Sequence, residues 1–208
     1  MKDPSQKPRS IFRSFVLADV ITLANAGLGM AAILLCFHHV SGSRTPGLRA
    51  VFILLPLALA CDVLDGFVAR RLRRHSLLGA DLDSLADIVT FGVAPAVLGF
   101  ALGLRGVWDA LILIYFVNCG ISRLARFNVT AEALSDGTGK VKYYEGTPIP
   151  TSIVIVFLLG VAYWQGRIDH LLPFGALRIG PWIFHPFALL YAASGSAMIS
   201  STLRIPKL

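Results

Sequence analysis

The sequence predicts an all-α, polytopic membrane protein: six transmembrane helices preceded by a short N-terminal juxtamembrane helix. Three observations predict it. Of 208 residues, 55% are hydrophobic and only 15% are charged, against roughly 25% charged in a soluble domain. Mean hydropathy is +0.69, and several apolar runs approach the roughly 20 residues that cross a bilayer. The Lys and Arg residues gather in the segments that join alternate ends of those runs. No Ser/Gly linker, low-complexity tract or internal repeat divides the chain.

Residues 1–14 carry Lys2, Lys7, Arg9 and Arg13, with no A-x-A cleavage site after a short apolar core. They read as a cytoplasmic segment rather than a signal peptide, with an amphipathic surface helix over 9–15. Residues 15–208 then form one six-helix membrane domain. The first span runs from Phe15 to Val40 and the second from Leu48 to Arg70. The third covers Asp81 to Leu104 and the fourth Val107 to Phe127. The fifth takes Pro148 to Gln165 and the sixth Phe184 to Leu203. Six spans leave both termini on one side. That side collects fourteen of the nineteen Lys and Arg residues, and the positive-inside rule makes it cytoplasmic. The net charge of +7 is therefore a membrane-surface signal. Nucleic-acid binding would need a basic face on a water-soluble fold, and none is visible.

Cys36, Cys61 and Cys119 lie within apolar runs, odd in number and without metal-ligand spacing, and read as small buried residues. Trp108, Trp164 and Trp182 fall near span ends, as interfacial aromatics do. The small residues from Ala192 to Ala197 suit close helix packing, within a monomer or across a dimer. His185, at the start of the sixth span, reads as a cap or a packing residue.

The chemistry concentrates in one run, D-x2-D-G-x2-A-R-x8-G-x3-D-x3-D, which fixes eight positions over 26 residues: Asp62, Asp65, Gly66, Ala69, Arg70, Gly79, Asp83 and Asp87. Acids inside a span are expensive and mark function. Asp62, Asp65, Gly66 and Ala69 share one face of the second helix, and Asp83 and Asp87 are i, i+4 neighbours on the third. A chain reversal between them, helped by Gly79, turns the two pairs toward each other. Four such acids repel unless protons or cations neutralise them. Oxygen-only ligands suit hard divalent ions, Mg2+, Mn2+ or Ca2+. Two such ions could clamp a pyrophosphate. Gly66 and Ala69 leave room at the backbone, and Arg70 offers a fork for phosphate oxygens. All four acids lie near the cytoplasmic membrane face, where a soluble substrate arrives. A carboxylate-lined cation pathway, the alternative from another functional class, would spread its acids along the bilayer depth.

This run resembles the signature of the CDP-alcohol phosphotransferases, membrane enzymes that join an alcohol to a CDP-linked phosphoryl group. Asp83-Ser-Leu-Ala-Asp87 leads into Phe91-Gly-Val-Ala-Pro95. Arg123-Leu-Ala-Arg-Phe-Asn128 and Tyr144-Glu-Gly-Thr-Pro-Ile-Pro150 follow. Together these resemble the membrane-embedded phosphatidylserine synthase branch of the family, with Arg126-Phe-Asn-Val-Thr, Phe184-His-Pro and the C-terminal Ser201-Thr-Leu-Arg-Ile-Pro-Lys207 closest to its fungal form. The resemblance implies a homodimeric transferase of phospholipid biosynthesis, in a microbial cell membrane or the endoplasmic reticulum. Its reaction would be CDP-diacylglycerol plus L-serine giving phosphatidylserine and CMP. By the same resemblance Asp62, Asp65, Asp83 and Asp87 hold two divalent ions, and Asp87 also takes the proton of the serine hydroxyl. Thr22, Asp62, Gly66, Ala69 and Arg70 hold the CDP moiety, with Asp19 and Asn25 on the same face as Thr22.

The serine site is sought among cations, because a carboxylate calls for Arg or Lys. Arg126 is the first candidate, then Arg123, with Phe127 and Asn128 shaping the site. Glu145, beside Lys142 in the following loop, is placed to meet the ammonium. The same chemistry with inositol phosphate, glycerol phosphate or choline is the alternative. A phosphorylated acceptor asks for more cations, and choline for an aromatic cage that the sequence does not offer.

Overall fold

The computed structural model describes residues 17–42, 47–72, 77–135, 143–200 and 204–206. The N-terminal segment and the surface helix expected over 9–15, residues 73–76 of the expected chain reversal, and Lys142 lie outside the described residues.

Helix α1 (Leu17–Val40) and helix α2 (Gly47–Leu72) form an antiparallel hairpin along most of their length. The chain next forms one long helical rod in three parts: α3 (Leu77–Asp87), a π-helical turn (Ile88–Val93) and α4 (Ala94–Ala101). Helix α5 (Val107–Ser135) follows. Strand β1 (Tyr143–Glu145) leads into a 3-10 turn (Ile149–Ser152) and helix α6 (Ile153–Trp164). A hairpin of β2 (Leu177–Ile179) and β3 (Trp182–Phe184) precedes helix α7 (Ala188–Ile199), and β4 (Arg204–Pro206) ends the described chain. Strands β1 and β4 pair antiparallel, with Glu145 opposite Arg204.

The protein is mostly helical, and four described helices are long and apolar enough to cross a membrane: Asp19–Val40, Gly47–Val68, Gly79–Ala101 and Val107–Val129. The third is the most buried and forms the centre of the bundle. Apolar helices at Ile149–Trp164 and Ala188–Ile199 are shorter. At 1.5 Å per residue, the 12-residue α7 rises only about 18 Å.

Several boundaries differ from the sequence reading. The third helix starts at Leu77, so Gly79 sits inside its first turns and is not the residue at which the chain reverses. The fourth runs on to Ser135; residues 128–135 carry polar groups that let a helix continue past the apolar zone. The last helix begins at Ala188 rather than Phe184, because the residue before Pro186 is disfavoured in α-helix. The strands were not foreseen: three-residue strands are too short to show an alternating pattern.

The core is a single apolar cluster in which Leu55, Phe91, Leu98, Phe116, Leu159 and Tyr191 are fully buried. Tyr191 docks α7 on the bundle: its hydroxyl donates to Pro95 O at 2.7 Å, and its ring meets Phe116 edge-on at 5.2 Å. In the small-residue run of α7, a Cβ on Gly195 would come within 3.3 Å of Phe116 Cα and Cys119 Sγ. That run is thus used for packing within the monomer. The three cysteines are free, Cys36 and Cys119 buried.

Candidate active site

Helix α2 presents Asp62 and Asp65 from one stripe, and α3 presents Asp83 and Asp87 one turn apart. The helices bring three of the four together. One carboxylate oxygen each from Asp62, Asp83 and Asp87 lies within 4.8 Å of the others. Asp87 is buried, and its Oδ1 has no hydrogen-bond partner. Asp65 is buried beside this trio, and its Oδ2 accepts a 2.7 Å hydrogen bond from Thr22 Oγ1 on α1. The face predicted on α1 is real: Asp19, Thr22 and Asn25 are all buried, and both polar atoms of the Asn25 side chain lack a partner. Gly66 is half-buried on the same stripe as Asp62. Ala69 and Arg70 lie on α2, but their side chains fall outside the described residues.

Immediately after Asp87 the helix widens into its π-turn, a geometry found mostly as single turns and often at functional sites. It has a local cause and a local effect. Thr90, fully buried in this turn, donates from Oγ1 to Asn25 O at 3.1 Å. Gly29, one turn further along α1, permits that approach, since a Cβ there would lie 2.5 Å from Thr90 Oγ1. The backbone that carries Asp87 is thereby clasped to the helix that carries Thr22. Sequence reasoning missed this clasp because a π-turn has no composition signature; only the pair of small residues facing each other hints at it.

The residues considered for the acceptor alcohol separate in space. Arg123 on α5 is half-buried and is the cation whose charge acts on Asp87; its guanidinium carbon stands 5.6 Å from the Phe127 ring centre. Arg126 is exposed and donates from Nη2 to Ile199 O at 3.1 Å, at the end of α7. Asn128 Oδ1 accepts from Ser84 Oγ at 3.1 Å, which ties α5 to the turn between Asp83 and Asp87. Ser84 was not singled out in the sequence, where it was one of two serines within the motif. Glu145 lies on β1, and its side chain falls outside the described residues.

A further buried acid, Asp109, was also overlooked. It sits at the opposite end of the bundle, where Oδ1 accepts from His185 N at 2.8 Å and Oδ2 meets His185 Nδ1 at 2.6 Å. Oδ2 also accepts from Gly106 N at 3.0 Å. His185 is thus a packing residue, as read from sequence, and Asp109 is the reason.

Comparison with known proteins agrees with this geometry. The sequence model of the CDP-alcohol phosphatidyltransferase family matches residues 15–192. The chain is 43% identical over 203 residues to a CDP-diacylglycerol–serine O-phosphatidyltransferase of Saccharomyces cerevisiae, covering 95% of this chain and 73% of that protein. It is 40% identical over 148 residues to an archaetidylserine synthase of Methanothermobacter thermautotrophicus, covering 69% and 57% of the two chains. It is 32% identical over 198 residues to a CDP-diacylglycerol–serine O-phosphatidyltransferase of Mycobacterium leprae, covering 93% of this chain and 59% of that one. The chain thus spans under two thirds of the length of the archaeal and mycobacterial relatives. With a family match over most of its length and the signature carboxylates converging at one end of the bundle, this chain belongs to the CDP-alcohol phosphatidyltransferase family.

Proposed function

We propose that the protein transfers the phosphatidyl group of CDP-diacylglycerol to the hydroxyl of L-serine and releases CMP. The observation that carries the chemistry is the convergence of Asp62, Asp83 and Asp87. The choice of serine rests on the names of the relatives in yeast and Mycobacterium leprae. The family is divalent-metal dependent. The donor set fits: the ligand atoms are all carboxylate oxygens, hard donors suited to Mg2+ or Mn2+, and Asp87, one of the three residues, also carries a buried oxygen with no protein partner. Asp62, Asp83 and Asp87, with Asp65 alongside, would hold two such ions. When bound, these ions supply positive charge for the pyrophosphate oxygens and for the oxygen that leaves with CMP.

The chain's own groups do the rest. Thr22 holds Asp65 in place, and Thr22, Asp62, Gly66, Ala69 and Arg70 receive the CDP moiety. Asp87 Oδ1 takes the proton of the serine hydroxyl as the serine oxygen forms its bond to the lipid-bearing phosphorus. The bond from that phosphorus to the bridging oxygen breaks, and CMP departs with the oxygen. No covalent enzyme intermediate is required; positioning and charge stabilisation suffice. Arg126 and Arg123 meet the serine carboxylate, with Phe127 and Asn128 shaping the site and Glu145 facing the ammonium. Six membrane crossings, cytoplasmic termini, a cytoplasmic active site and a homodimer complete the proposal.

The test is CMP release by purified protein in detergent with CDP-diacylglycerol and Mn2+ or Mg2+, offering serine, inositol, inositol phosphate, glycerol phosphate and choline separately. Release with serine alone, abolished by EDTA, is expected. Release with a different alcohol would keep the mechanism and overturn the acceptor.

A further inference from the structure

The end of the bundle opposite the carboxylates carries a feature the transfer reaction does not use. Residues 168–187 connect α6 to α7 through the β2–β3 hairpin, and this segment turns large apolar side chains outward. Leu171, Phe174, Leu177, Ile179, Trp182 and Ile183 are all exposed, Phe174 by 77%. In water such a surface is unfavourable, and an isolated two-stranded hairpin is marginal at best.

The segment is nonetheless fixed to the bundle. Asp169 N donates to Leu102 O at 2.7 Å. Trp182 meets Trp108 edge-on at 6.0 Å, and His185 is held by Asp109 at both its backbone N and its ring. The outward apolar face is therefore a built surface. It is continuous with the exposed apolar side chains of the spans beside it, such as Trp108 and Val107 on α5 and Trp164 at the end of α6.

We infer that residues 168–187 form an interfacial wedge seated in the headgroup zone of the far leaflet, with phospholipid as its partner. Three features fix the depth. All three tryptophans of the chain stand at this end, the arrangement of an aromatic belt. Arg167 and Arg178 are exposed at the same end, placed for lipid phosphates. Among the described residues β2 and β3 form a two-stranded sheet with no further strand at either edge, and unpaired N–H and C=O groups are not tolerated in the hydrocarbon, so the strands lie at headgroup level. The wedge also makes up length: α7, at about 18 Å, falls short of the roughly 30 Å apolar thickness.

The experiment uses the full chain with Trp108→Phe and Trp164→Phe, reconstituted in phosphatidylcholine–phosphatidylglycerol vesicles, so that Trp182 alone reports. Lipid brominated high on the acyl chains is expected to quench the Trp182 emission strongly, while iodide equilibrated on both sides quenches it little. Strong iodide quenching with no bromolipid effect would put the hairpin in water and overturn the inference. Protection from both quenchers would mean that a second copy covers it, and would overturn it equally. If the double variant does not fold, Phe174→Cys carrying a bimane, in a chain whose Cys36, Cys61 and Cys119 are replaced by Ala, gives the same readout at a residue exposed to its surroundings. The result does not depend on which alcohol is the acceptor.

Discussion

Thr22→Val tests whether the first helix is part of the catalytic machinery or merely its neighbour. Valine keeps the branched shape of threonine and removes one donor, the hydroxyl that reaches Asp65 Oδ2 at 2.7 Å. Both residues are nearly inaccessible to solvent, so water cannot replace the lost bond. A hydrogen bond to a charged group contributes about 1.5–3 kcal/mol, which is roughly ten- to hundredfold in an equilibrium or rate constant. That loss falls on Asp65, one helical turn from Asp62 on the same stripe, where it would disturb the proposed cradle for metal and CDP. The assay is CMP release at varied CDP-diacylglycerol and varied Mn2+. The expected result is a rise of about tenfold or more in the concentration of metal or lipid needed for half-maximal rate, with a smaller change in the serine KM. Thr22→Ser, which restores the hydroxyl, should recover most of the loss. If Thr22→Val stays within about twofold of the parent, or if Thr22→Ser fails equally, the hydrogen bond has no part in the site.

Asp87→Asn should abolish turnover while leaving CDP-lipid binding largely intact, as measured by retention of labelled CDP-diacylglycerol; equal loss of binding would remove the proton-acceptor assignment. Arg126→Ala should raise the serine KM by about tenfold and the CDP-lipid KM much less, and an unchanged serine KM would move the carboxylate contact to Arg123. Gly29→Ala puts a methyl 2.5 Å from Thr90 Oγ1 and should cost about 1–3 kcal/mol of stability, seen as a lower thermal midpoint together with reduced kcat. Asp109→Ala strands the Gly106 and His185 donors and should cost about 3 kcal/mol or more. Its signature is a lowered melting temperature with near-normal kcat in the protein that remains folded.

The parts of the site that could be read in the sequence are those set by helical periodicity. Asp62 and Asp65 had to share a stripe, Asp83 and Asp87 had to be one turn apart, and Asp19, Thr22 and Asn25 had to line one face. Those relations follow from 3.6 residues per turn whatever the rest of the chain does. Contacts between helices were less legible, because they depend on rotation and depth. The sequence could not tell that Arg123 acts on Asp87 while Arg126 reaches the end of α7, since both lie on the same exit from the membrane. Nor could it show that Thr90 answers Asn25, a pairing 65 positions apart. The fold was legible for the four long apolar helices, where hydropathy decides. It was less so for the final third, where short helices and three-residue strands take their shape from what they pack against.

The two buried acid sites show why satisfaction of polar groups discriminates better than burial alone. Asp109 and Asp87 are each buried, each acidic and each on a helix that reads as a membrane span. Asp109 has both oxygens occupied, by Gly106 N, His185 N and His185 Nδ1. Its charge or proton is answered inside the protein at three of its roughly four acceptor positions, so it joins α5 to the segment entering α7. Asp87 has a buried oxygen with no partner, and two further carboxylates aim at the same space. Such an arrangement is costly unless protons or cations neutralise it, which is why it supports the proposed metal site. The polar groups at one end of this bundle are spent on holding it together; at the other, Asp87 keeps a buried oxygen without a protein partner, as the proposed cation and pyrophosphate site requires.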